Sequence, residues 1–181
     1  MKTRLLAALA MAGGLLMAAP NQASMPQSDS SIAQRITHEI RMYPQYGIWD
    51  DVNLQVANGQ VVLSGEVNQP YKKSDIANIV KRVPGVTSVT NEIKVAPLSN
   101  FDDRLRIQVA RAIYRDPSFT LYGMQAQPPI HILVNNGHVT LTGVVATDAQ
   151  KQIAGIRAAS AGLSFGPVVN NLRVEHPARK S

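Results

Sequence analysis

Cysteine is absent from all 181 residues, which removes disulfides, thiolate nucleophiles, cysteine-ligated zinc and lipid attachment through a cysteine together. The fold is therefore expected to stand on packing alone. Charge is sparse at 17% of residues and aromatics make up only 5%, while apolar residues reach 45%. That balance excludes a disordered chain and fits an ordinary globular protein. Beyond the N-terminus no run approaches the roughly 20 apolar residues that span a bilayer, so any membrane contact is expected to be peripheral.

The N-terminus itself reads Met1-Lys2-Thr3-Arg4, an apolar run from Leu5 to Met17, then small and polar residues through Ser24. This is the order of a signal peptide, assigned to residues 1–24 with cleavage between residues 18 and 25. Catalytic motifs are missing as well: no nucleophile sits beside a base, no carboxylate pair stands out, and no glycine loop is built to grip a phosphate. No catalytic residue and no cofactor are expected. His38, His131, His138 and His176 do not converge, since the hairpin register puts His131 opposite Thr142 and His138 at the turn; no metal site is expected.

What the chain does have is a repeat. Asn58-Gly59-Gln60-Val61-Val62-Leu63-Ser64-Gly65-Glu66-Val67 returns as Asn136-Gly137-His138-Val139-Thr140-Leu141-Thr142-Gly143-Val144-Val145. Upstream, Val52–Val56 matches Ile130–Val134, and downstream Asn91–Val95 matches Asn170–Val174. An Asn-Gly pair between alternating runs predicts a two-residue type I′ hairpin, pairing Val56 with Val61 and Leu54 with Leu63, then Val134 with Val139 and Ile132 with Leu141.

Ile32, Ala33, Ile36, Ile40 and Tyr43 precede the first hairpin at helical spacing, as Leu105, Val109, Ala112 and Ile113 precede the second. Helices are again expected at about Ser74 to Arg82 and Asp148 to Ala159, the latter N-capped by Thr147, and a short strand closes each copy. The order α-β-β-α-β defines an α+β module, and two modules in tandem are placed at residues 28–96 and 102–175. Residues 97–101 form a proline-containing linker and 176–181 a tail.

The pattern Asn58-Gly59-x-Val61-x-Leu63-x-Gly65-x-Val67, then Val83-Pro84-Gly85-Val86, then Val89-x-Asn91-x-Ile93-x-Val95 resembles the BON domain of bacterial osmotically inducible and other envelope proteins. The second copy matches in its hairpin and last strand and departs between them, at Ala161 to Val168. The resemblance implies a three-stranded mixed sheet packed on two helices in each module, a periplasmic location, and a non-enzymatic role. Phospholipid or envelope binding is the usual proposal for such proteins, with chaperone-like and scaffold roles also suggested. Lipoprotein members carry a lipid-modified cysteine; without one, this chain looks more like the soluble members.

Charge is unevenly divided. Residues 26–97 hold seven basic and seven acidic residues, whereas residues 98–181 hold nine and five, so the basicity belongs to the second copy. On its first helix Arg104, Arg111 and Arg115 fall within about 20° of one line, away from Leu105, Val109 and Ile113. Anionic headgroups would gain on the order of 1 kcal/mol from each such residue. The other reading is a solvated face neutralised by Asp102, Asp103 and Asp116.

Six of the nine aromatics lie between the first helix and first strand of a copy: Tyr43, Tyr46 and Trp49, then Tyr114, Phe119 and Tyr122. Amphipathic rings suit a lipid or protein interface, for which Tyr46, Trp49, Phe119 and Tyr122 are the candidates, or they cap a small core. Trp49, between Ile48 and two aspartates, is the one expected to point outward. Export and the neutral first copy argue against nucleic acid. Anionic phospholipid is thus the expected partner, with an envelope protein, met by the aromatic loops or an open strand edge, as the alternative.

Overall fold

A computed structural model describes residues 28–162 and 164–175; the expected signal peptide and the tail from 176 lie outside them. Helix α1 (Asp29–Met42) starts at Ser28, whose side chain accepts from the amide of Ser31, and buries Ile32, Ile36 and Ile40 one turn apart. Strands β1 (Asp51–Ala57) and β2 (Gln60–Val67) follow in the expected register, Val56 against Val61 and Leu54 against Leu63. Asn58 and Gly59 turn between them at φ 50° and 74°, the two positive angles a type I′ turn demands.

Helix α2 (Pro70–Lys81) begins four residues before the expected Ser74, because Pro70 already has the φ a first helical turn needs and spends no amide there. The chain then returns parallel to β2, making β2 the central strand. The expected single closing strand is in fact two, β3 (Ser88–Asn91) and β4 (Lys94–Val95). Asn91 causes the break: its side chain accepts from the amide of Ile93 at 3.2 Å and donates to Lys73 O in α2 at 2.8 Å. The kink drives Ile93 fully into the core.

The second module repeats the plan with α3 (Asn100–Tyr114), β5 (Ile130–Asn135), β6 (His138–Val145), α5 (Asp148–Ser160), β7 (Val169–Asn170) and β8 (Arg173–Val174). Asn170 repeats the kink, accepting from Leu172 N and donating to Lys151 O. Thr147 caps α5 as expected. Asn100 and Phe101, assigned to the linker from sequence, form the first turn of α3, which Ser99 caps. A 3-10 turn at Pro117–Phe119 and the short helix α4 (Thr120–Gly123), neither foreseen, fill the stretch before β5.

Each module has its own core, one around Ile36, Leu63, Ile76 and Ile93, the other around Val109, Phe119, Ile132 and Leu141. The repeated Gly65 and Gly143 have φ of 103° and 109°, and a Cβ there would stand 2.1 Å from Asp51 O and 1.9 Å from Pro129 O. Close backbone approach therefore explains both.

Candidate functional site

Helix α3 owes its orientation to its inner face. Leu105, Val109 and Ile113 are buried, and so is Asp102, whose two carboxylate oxygens accept from the amides of Asn136 and Gly137 at 2.9 and 2.8 Å. Arg106 is also buried; it donates to Val134 O at 2.7 Å and pairs with Asp103. These bonds fix the helix against the hairpin and leave Arg104, Arg111 and Arg115 exposed along its outer face.

The three aspartates considered as local partners for that stripe are engaged elsewhere. Asp102 holds the turn, Asp103 pairs with Arg106, and Asp116 pairs with Arg157 at 2.7 Å. Bonds from the Ser118 amide and then from Arg157 hold the Asp116 carboxyl below the usual carboxylate range. Among the described residues Arg104, Arg111 and Arg115 make no ion pair, and Arg104 donates only to Asn100 O in its own helix. Two exposed apolar residues flank the stripe, Phe101 and Ile107 at 40% and 44% exposure. Phe101 stacks on Phe165 with centroids 4.9 Å apart. Arg111 and Arg115 also border a shallow hollow of about 350 Å³ that Arg157 lines with them.

The aromatic candidates are placed differently from the stripe. Phe119 is fully buried in the second core, with Tyr122 half-buried beside it. Tyr46 is half-buried against the first core and accepts from the amide of Val52, and burial pushes its hydroxyl up to about 12. Trp49 is not displaced into solvent: it packs, half-buried, on the core of the second module. No local pattern signals this, because the two residues after it are aspartates, which read as a solvated loop.

The first of those aspartates holds the loop. Asp50 is completely buried, accepting from Lys72 Nζ at 2.7 Å and from the amides of Gly47 and Asn68, each at 3.0 Å. A buried pair of this kind contributes little net stability, since desolvation cancels most of the attraction, but it fixes geometry. Here it presents the Ile48–Asp50 backbone to β5. Ile132 N donates to Ile48 O at 2.7 Å, and His131 Nδ1 donates to Asp50 O at 2.6 Å. Asn135 reaches Glu66 of β2 at 2.6 Å, and the Gln127 side chain donates to Arg41 O. The modules are thus joined through β5 as well as by the linker.

Among the described residues no three His, Asp or Glu side chains gather as a metal would require, and no helix is long and apolar enough to cross a membrane. Residues 28–97 and 102–176 match the family model described as BON domain. The outer membrane lipoprotein DolP of Haemophilus influenzae is 26% identical over 141 residues, covering 71% of this chain and 70% of that protein. Structures of CdsD, described as a structural protein of the Type III secretion system of Chlamydia trachomatis, are similar at 18% identity and a TM-score of 0.32. The chain spans 61% of one of them and 63% of its C-terminal domain structure, a likeness too loose to bear on function.

Proposed function

The chain belongs to the BON-domain family, with one domain at residues 28–97 and a second at 102–176, and on that premise we propose that it is a non-catalytic periplasmic protein of the cell envelope that attaches to anionic phospholipid through α3. The observation carrying this reading is the line of Arg104, Arg111 and Arg115, exposed and free of ion pairs among the described residues. The relative named as an outer membrane lipoprotein supports the envelope setting.

The chemistry of the face suits a headgroup layer. Exposed guanidiniums fork onto phosphate oxygens, while Phe101 and Ile107 on either side can enter the acyl boundary. At about 1 kcal/mol for each basic residue near an anionic surface, three give weak, reversible attachment that salt screens.

Co-sedimentation with neutral and anionic liposomes tests it. Binding is expected to anionic vesicles at low salt, to fall at high salt, and to be lost in Arg104→Gln/Arg111→Gln/Arg115→Gln, whose exposed substitutions leave the core intact. Equal binding to neutral vesicles, or full retention by the triple variant, would refute the assignment to α3.

A further inference from the structure

The two sheets treat their outer edges differently. In the second module the edge of β5 facing away from β6 is met from three directions. Ile130 O accepts from the Tyr114 hydroxyl at 2.6 Å, Val134 O from the Arg106 guanidinium at 2.7 Å, and Ile132 N donates to Ile48 O at 2.7 Å. Strand β1 has the same register on β2, which puts Val52, Leu54 and Val56 at the corresponding outward positions. The Tyr46 hydroxyl accepts from Val52 N at 3.3 Å. The other caps are missing: Ala33 stands where α3 has Arg106, and Arg41 where it has Tyr114. Among the described residues the outward backbone groups of Leu54 and Val56 have no partner.

An open strand edge is a template for another strand. Part of this one, Val52 to Leu54, lines a groove of about 890 Å³ between the modules, which residues 125–129 line as well. The charged residues of the groove are Arg41 and Arg173 against the single Asp51, and its wall holds the buried Thr142 hydroxyl, unpartnered among the described residues.

We propose that the outer edge of β1 is a docking site for an extended, acidic peptide segment of a partner protein, paired through the backbone of Leu54 and Val56 with its carboxylates toward Arg41 and Arg173. The chain supplies the precedent, since what meets the matching edge of β5 at Ile132 is peptide backbone, that of Ile48. The excess of arginine in the groove selects acidic over basic segments. This site is separate from the α3 face and stands whether or not that face binds lipid.

The test is amide hydrogen exchange of the protein with a short synthetic peptide alternating valine and aspartate, beside the same peptide N-methylated at alternate amides. Methylation keeps the side chains and charge but removes the donors that strand pairing needs. The plain peptide is expected to slow exchange at Leu54 and Val56 about tenfold and the methylated one to leave it unchanged. The variant Ser30→Asp/Ala33→Arg, which copies the Asp103–Arg106 cap onto α1, is expected to abolish the protection. Unprotected Leu54 and Val56 at saturating peptide, or equal protection by the methylated peptide, would overturn the proposal. So would protection that grows with protein concentration alone alongside a sedimenting dimer, which would make a second copy the occupant.

Discussion

The carboxylate of Asp102 lies 2.8 Å from the amide of Gly137, and Asp29 repeats the contact on Gly59 at 3.0 Å. In each module an aspartate in the first turn of the opening helix grips both amides of the hairpin turn, tying the start of the module to its middle. Asp102 does so fully buried and Asp29 half-buried.

That difference predicts unequal costs. Asp102→Ala forfeits two bonds to a buried carboxylate and is expected to lose about 3 kcal/mol, Asp29→Ala about half as much. Urea denaturation followed by circular dichroism measures both, and equal losses would show that burial does not set the strength of the grip.

Trp49 is expected to couple the unfolding of the modules. Trp49→Ala removes a half-buried ring from the second core, at a cost of about 2 kcal/mol. Calorimetry should show one endotherm for the unsubstituted protein and two for the variant. A variant that still melts in a single step would place the coupling in the backbone contacts of Ile48 and Asp50 instead.

The Asp50–Lys72 pair should be far more costly to break than to remove. Lys72→Met strands a fully buried carboxylate and is expected to cost about 3 kcal/mol, whereas Asp50→Asn/Lys72→Met, which removes both charges, should recover part of it. Denaturation of the two variants gives the comparison directly.

Alkali should weaken the protein through its tyrosines. Burial pushes Tyr46 up to about 12 from an ordinary value of 10, and burial also raises Tyr43 and Tyr114. A hydroxyl whose pKa is raised on folding contributes stability that is complete below pH 10 and disappears as pH rises through about 12. Stability measured across that window should fall steadily, and Tyr46→Phe should fall less steeply. An identical slope in the variant would remove Tyr46 from the account.

Local patterns carried most of the fold. The Asn-Gly turns, the period-two alternation beside them and the helical spacing of Ile32, Ile36 and Ile40 are decided within a few residues, so hairpin registers and helix faces were legible. The stripe on α3 was legible for the same reason, being a matter of helical angle. Phe119 and Trp49 were not: Phe119 enters the core of its own module through an unforeseen 3-10 turn, and whether Trp49 meets solvent or a neighbouring core depends on how the modules meet. Arg106 did carry a signal: a cation falling on the same helical face as Val109 and Ile113 needs a buried acceptor, and Val134 O supplies it. The broken closing strand was hidden in Asn91 and Asn170, whose side chains imitate backbone and create a bend no alternation reveals.

One part of the shield over β5, the backbone of Ile48, comes from a residue made long before it. By the time Ile132 leaves the ribosome, the loop carrying Ile48 and Trp49 has already been synthesised together with the whole of the first module. The backbone that meets Ile132 thus precedes in the chain the strand edge it covers. Exchanging the two modules along the chain would keep every local pattern, the Arg106 and Tyr114 caps included, and put only the Ile48 contact at stake.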